Sequence, residues 1–168
     1  MKSETSIEVF NEIRDIPYSI PLQKGEINNS CSGKVIILKD KLKKLEIKSR
    51  FRVVSFKWSE VNIPKKILNK LKTDFSTHVY LEVNIGNTWY NVDPTWDKGL
   101  ITILPVNKWD GKSHTSIAVP VIGMYSKEES QSIMSEVELK LESKRKSEND
   151  EFYKALNIYL QEVRSSEF

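Results

Sequence analysis

Residues 77–93 read THVYLEVNIGNTWYNVD, and the fold and its chemistry both turn on how this stretch pairs with itself. Val79, Leu81, Val83 and Ile85 alternate with His78, Tyr80, Glu82 and Asn84, which is the two-residue period of a strand. Gly86-Asn87 between two such runs is a hairpin signal, because both residue types tolerate the positive φ of a two-residue turn. With those two as the loop, Ile85 pairs with Thr88, Tyr80 faces Asp93 and His78 faces Thr95. His78, Tyr80 and Asp93 then share one polar face. His78 and Asp93 become diagonal neighbours, about 7 to 8 Å apart at Cα and within reach of a histidine-carboxylate hydrogen bond. Val79, Leu81, Val83, Tyr90 and Val92 form the other, apolar face. A slip of one residue would put His78 and Asp93 on opposite faces.

The elements around this hairpin follow from local pattern. Ile7, Phe10 and Ile13 fall at helical spacing within residues 4–15, before a loop from Ile16 to Ser30 that holds Pro17, Pro21 and Gly25. Asn28, Asn29 and Ser30 are helix-cap types, and Val35, Leu38, Leu42 and Leu45 then recur on one helical face, which puts Cys31 in the first turn of a helix of about four turns. FRVVSFKW at 51–58 predicts a strand, and Pro64 followed by KKILNKLK predicts a short helix. Between Trp96 and Tyr125, the apolar runs LITILPV and IAVPVIGM flank the loop WDGKSH and predict one or two further strands. Ser126 and Glu129 form a capping box opening a helix to about Lys146. A last helix from about Asn149 to Arg164 buries Phe152, Ala155, Leu156, Tyr159, Leu160 and Val163. Helices first, antiparallel strands in the middle and helices last give an α+β fold. The expected organisation is a single domain over 1–168, with its core at about 16–125 and a C-terminal helical part at about 126–168.

Composition narrows the function classes. In 168 residues, 39% apolar and 29% charged content indicate an ordinary globule rather than a disordered or fibrous chain. Cys31 is the single cysteine, so intramolecular disulfides are excluded. His78 and His114 are the only histidines, too few for a Cys/His zinc cage, and no metal or cofactor is expected. The first residues lack an apolar signal region and no run approaches about 18 apolar residues, so the expected location is the cytoplasm, with no membrane partner. Net charge is +3, yet residues 34–72 carry thirteen Lys and Arg against Asp40, Glu46 and Glu60, a local +10. That basic face either attracts an acidic partner or is the solvated side of lysine-rich helices; no aromatic-interleaved basic motif accompanies it, so nucleic acid is not the expected partner.

A thiol at a helix start can be activated by unpaired backbone N–H groups and the helix dipole, and those N–H groups can also hold the oxyanion formed when a thiolate attacks an acyl carbon. A lone cysteine can equally be a small buried hydrophobe. A His-Asp pair on a rigid hairpin is what a base and its orienting carboxylate require, although a surface histidine and a turn-forming aspartate before Pro94 fit the same letters. His114 sits in a polar loop where a solvated ring is the default. Trp89, Trp96 and Trp109 either wall a groove or pack in the core, and Glu82, on the same face as His78, is either part of the site or a surface residue.

Cys31 in CSGK, His78 in HVYLEV and Asp93 in WYNVDPTWD together resemble the transglutaminase-like superfamily, with its papain-like core of a helix-borne Cys followed by a hairpin-borne His and Asp. The resemblance runs from about Ile16 to Asp97, and its most specific piece is the aromatic-X-X-Asp-Pro-Thr ending with His fifteen residues before the Asp. IRDIPY and the C-terminal helices are similar to those of small prokaryotic members. The resemblance implies a catalytic triad with Cys31 as acyl-accepting nucleophile, His78 as base and later acid, and Asp93 as orienter, in a peptidase, amidase or transamidase acting on a peptide, protein or other amide through a thioester. It also allows a catalytically inactive binding module that holds an acidic partner on the basic face. Members often take a second oxyanion donor from a side chain before the Cys; no Trp precedes Cys31, and Gln23, Asn28 and Asn29 are the nearby upstream amides.

Overall fold

The structure is a computed structural model that describes residues 4–139 and 147–166. Its centre is the hairpin of β2 (Phe75–Ile85) and β3 (Thr88–Val92). Gly86 and Asn87 take φ of 57° and 68°, the left-handed pair that lets a two-residue turn match the twist of its strands. The ladder runs from Ile85 opposite Thr88 to Leu81 opposite Val92, the expected register, and releases the chain one residue before Asp93. β1 (Ser49–Lys57) lies antiparallel on the other side of β2, with Val54 opposite His78, and the two-residue β4 (Gly123–Met124) pairs beyond it, so the strand order is β3-β2-β1-β4.

Helices cover one face as the apolar alternation requires. α1 (Ser6–Arg14), α2 (Cys31–Lys44) and α4 (Lys127–Leu139) bring Phe10, Ile13, Val35, Leu38, Leu42 and Met134 against Val53, Val79, Leu81, Val83 and Val92. The expected capping box of Ser126 with Glu129 forms, and Thr5 with Glu8 makes a second one, not foreseen, at the start of α1. The short α3 (Lys65–Leu68) starts at Pro64. The expected continuation of α4 to about Lys146 lies outside the described residues.

Two expectations are corrected. The His78 face, expected to be polar, is mostly apolar and covered: α5 (Asp150–Ser165) and residues 96–119 bury it beneath a second core of Phe56, Trp58, Tyr80, Trp96, Leu100, Leu104, Phe152, Leu156 and Leu160. Each large side chain buried there contributes about 1.5–3 kcal/mol, so the cost of covering His78 and Asp93 is readily offset. LITILPV is also not a strand. It begins in a 3-10 turn at Lys98–Leu100 and continues as irregular chain that sends Leu100 and Leu104 inward, and β4 is the only strand among the described residues of 96–125.

α5 also fastens the surrounding loops through polar side chains. Asn149 bonds the backbone of Lys72 and Thr73, Asn157 bonds both N and O of Ile20 at 3.0 and 2.9 Å, and Arg164 reaches Asp97 and the Tyr18 carbonyl. These three residues lie seven or eight apart, on one side of the helix.

Candidate functional site

Asp93 is fully buried and its carboxylate accepts four hydrogen bonds. Oδ1 takes Thr95 N at 3.1 Å and the Thr95 hydroxyl; Oδ2 takes Ala118 N at 2.8 Å and His78 Nε2 at 2.7 Å. Its own backbone is tied by Thr115 Oγ1 and Asn107 Nδ2, each at 2.9 Å. Burial alone would raise its pKa. The His78 charge and the bonds from His78, Thr95 and Ala118 outweigh burial and lower it, so Asp93 is an anion held in one orientation.

His78 is 3% exposed. Burial lowers its pKa, but the Asp93 charge, the Cys31 thiolate charge and hydrogen bonds to both raise it to about 10. The bond to Asp93 uses Nε2, which leaves Nδ1 as the ring nitrogen available to the thiol. Val54 across the ladder and the edge of Phe56, 6.3 Å away between ring centroids, confine the imidazole.

Cys31 opens α2 and remains partly exposed. Ser30, the cap residue, has extended backbone and gives the first turn no side-chain cap. Asn28 instead occupies it: Asn28 Oδ1 accepts from Ser30 N and Ser30 Oγ, and Asn28 Nδ2 donates to Ser32 Oγ at 2.8 Å. The Asn28 carbonyl packs so closely on the helix that a Cβ on Gly33 would lie 1.7 Å from its oxygen. Gly33 is therefore what allows the loop to fold over the start of α2, and that close approach sets where Cys31 stands.

A partly enclosed cleft of about 200 Å³ runs past Cys31 and His78. Tyr18, Phe56, Trp58, Trp96 and Tyr153 line it from the second core and the N-terminal loop, and Ile133 and Val137 line it from α4. Burial, and next the charge of Cys31, push the Tyr18 hydroxyl well above the usual phenol range, so it stays protonated. Behind Tyr18, its N–H donates to Asp97 at 2.8 Å and its carbonyl accepts from Arg164 at 2.9 Å.

The fold therefore brings Cys31, His78 and Asp93 together, the three residues singled out from the sequence. It does not bring the upstream amides into the cleft: Asn28 is engaged with Ser30 and Ser32, and neither Gln23 nor Asn29 is among the cleft residues. Of the tryptophans, Trp96 lines the cleft, Trp109 packs on Phe10, and Trp89 lies under the Arg50 guanidinium at 3.9 Å. His114 is exposed and accepts Asn91 N–H at 2.8 Å, and Glu82 pairs with Arg50 and Arg52. Tyr18, Trp58 and Tyr153 were not foreseen. They come from a loop, a strand end and a helix, with no shared spacing that could have linked them.

Lys34 is a further buried charge, one turn beyond Cys31. It is 0% exposed, and its ammonium donates to the carbonyls of Arg14 at 2.9 Å and Thr95 at 2.8 Å. It thereby ties α2 to the residue that braces Asp93. Burial lowers its pKa to about 8 against the pull of Asp97.

Among the described residues no group of three or more His, Cys, Asp or Glu could hold a metal ion, and no helix is long and apolar enough to cross a membrane. Compared with protein-family models, with curated proteins and with solved structures, the chain matches none.

Proposed function

We propose that the protein is a thiol-dependent amide-bond enzyme, with Cys31 as nucleophile, His78 as proton carrier and Asp93 as the group that orients it. The observation that carries this reading is the 2.7 Å bond between His78 Nε2 and the buried Asp93 carboxylate, with the other side of the ring meeting Cys31 at the wall of a cleft. The resemblance of CSGK, HVYLEV and WYNVDPTWD to the transglutaminase-like superfamily points the same way.

The chemistry follows from these contacts. His78 holds the proton from Cys31, and the thiolate attacks the carbonyl carbon of the amide, forming a C–S bond and an oxyanion. Uncapped N–H groups at the start of α2, that of Cys31 among them, are the donors for this oxyanion. As the C–N bond breaks, His78 passes its proton to the departing amine and a thioester remains. Neutral His78 then takes a proton from the acceptor, water in a peptidase or amidase and a second amine in a transamidase. The acceptor's attack releases the product and restores the thiolate-imidazolium pair. Asp93 stays ionised throughout, keeping Nε2 protonated and Nδ1 toward the sulfur.

The test is intact-mass analysis after incubation with an activated acyl ester. The expected result is one acyl group on wild-type protein, lost in Cys31→Ala and in His78→Ala. Equal labelling of wild type and His78→Ala would refute the role of His78.

A second reading, a binding module without turnover, is favoured by one observation: a groove away from the cleft in which Lys39, Lys43 and Lys48 outnumber Glu46, with Trp89 beside them. It predicts salt-sensitive binding of an acidic protein that survives Cys31→Ser.

A further inference from the structure

Attack by Cys31 places a negative charge on the acyl oxygen, and that oxygen needs donors aimed at it. The uncapped N–H groups of α2 supply one set. His78 supplies none: Nε2 is bound to Asp93, and the proton on Nδ1 leaves with the amine. Most other polar side chains of the cleft are already committed. Ser30 and Ser32 are engaged with Asn28, the Thr95 hydroxyl with Asp93, the Trp96 indole with Ala118 O, and the Tyr153 hydroxyl with Asn149 and Ser147. At the start of β2, Thr77 is exposed and Ser76 half-buried, within reach of water.

Tyr18 differs from all of these. The residue is 4% exposed and its ring packs tilted on Trp96, 4.6 Å between centroids, yet its hydroxyl bonds no group among the described residues. The fully enclosed side-chain atoms that lack a partner are Ser49 Oγ, Arg52 Nε and Trp58 Nε1. The Tyr18 oxygen is not one of them, so it keeps an accessible edge, and the cleft is the space this residue lines. Buried hydroxyls are nearly always hydrogen-bonded. Here the main chain is clamped on both sides, by Asp97 at the N–H and Arg164 at the carbonyl, which holds the phenol in place with its hydroxyl free. Cys31 is the charged group that acts on it most strongly, ahead of Tyr153 and Asp93, which places the hydroxyl toward the thiol. Burial and that charge together keep its proton in place.

Resting on the reading of Cys31 as nucleophile, we infer that Tyr18 is a catalytic residue whose hydroxyl donates a hydrogen bond to the oxyanion, together with the N–H groups of α2. The O–H bond stays intact throughout. Charge builds on the acyl oxygen as the C–S bond forms, the phenol bonds that oxygen, and the bond weakens when the carbonyl re-forms in the thioester. The same bond serves again when water or an amine attacks the thioester.

The experiment compares two reactions of one thiol in wild type and in Tyr18→Phe, each followed by intact mass. p-Nitrophenyl acetate acylates Cys31 through an oxyanion: sulfur bonds to the acetyl carbon, the ester C–O bond breaks and nitrophenolate leaves. Iodoacetamide alkylates Cys31 by direct displacement of iodide, with no oxyanion. In Tyr18→Phe, acylation should be roughly 100-fold slower while alkylation stays within about twofold of wild type. Both rates come from one protein, so their ratio is unaffected by a smaller folded fraction of the variant. The substitution removes an oxygen that no other group bonds, so the urea midpoint should not fall. Acylation at the wild-type rate, or acylation and alkylation slowed by the same factor, would overturn the inference while leaving Cys31 as nucleophile. Failure of wild type to give an acetyl adduct that depends on His78 would overturn both.

Discussion

Replacing Asp93 with Asn tests the link between the hairpin and the thiol. Oδ1 receives two donors from Thr95 and Oδ2 receives two more, from Ala118 N and His78 Nε2. An amide keeps one oxygen. If that oxygen stays with Thr95, the new NH2 group faces Ala118 N–H, which is left unpaired, at about 1–3 kcal/mol. The same NH2 donates to His78 Nε2, so Nε2 must give up its hydrogen and the neutral ring carries its proton on Nδ1, against the sulfur. The ring would then be in the wrong tautomer to accept the thiol proton, and loss of the Asp93 charge removes the largest influence that raises its pKa. Asp93→Asn should therefore unfold at lower urea by about 1–3 kcal/mol and acylate Cys31 about 100-fold or more slowly. Long-range proton-nitrogen NMR of the imidazole reads the cause directly: both nitrogens protonated in wild type at pH 7–8, and Nδ1 alone in the variant. A variant with the wild-type ring state and wild-type acylation would refute the assignment of Asp93 as orienter.

Gly33→Ala would ordinarily stabilise a helix by about 1 kcal/mol, but here the added Cβ collides with the Asn28 carbonyl, so thermal unfolding should show destabilisation and Cys31 should react more slowly. Arg164→Met leaves Asp97, 2% exposed, without its guanidinium partner, and urea unfolding should show a loss of about 3–5 kcal/mol that the Asp97→Asn/Arg164→Met pair partly restores. Lys34, with its pKa at about 8 when folded against 10.5 ordinarily, binds fewer protons folded than unfolded between those values, so its contribution to stability rises with pH across that window. Stability of wild type relative to Lys34→Met should accordingly increase by about 3 kcal/mol from pH 8 to 10.5; a flat difference would show that burial does not perturb this lysine.

The hairpin was the most legible part of the fold because two residues, Gly86 and Asn87, set its register, and a fixed register decides which side chains share a face. Cys31 could be placed for a similar reason: a cap-type cluster marks a helix start, and the apolar spacing from Val35 to Leu42 says which way the helix faces. The second core was not legible. Tyr80, Phe56 and Trp58 are separated in sequence from Phe152, Leu156 and Leu160, and an amphipathic α5 carries no mark of the sheet face it will cover. The stretch between Trp96 and Tyr125 misled because apolar runs interrupted by Pro105 and Pro120 resemble short strands; in the structure only Gly123–Met124 joins the ladder, and Asp93 holds the chain before it through Thr95, Thr115 and Ala118. Tyr18 and Trp58, which line the cleft, were hidden for the same reason, since they come together only within the second core.

The most direct measurement of the central claim is the pH profile of Cys31 alkylation by iodoacetamide, followed by mass, in wild type and in His78→Ala. An imidazole whose pKa is raised to about 10, first by the Asp93 charge and next by that of Cys31, holds its proton across neutral pH, so wild-type Cys31 should be alkylated faster than Cys31 of His78→Ala at pH 6 to 8, while His78→Ala should react only as pH rises past about 8. Two coincident profiles, both rising like that of a free thiol, would contradict the account.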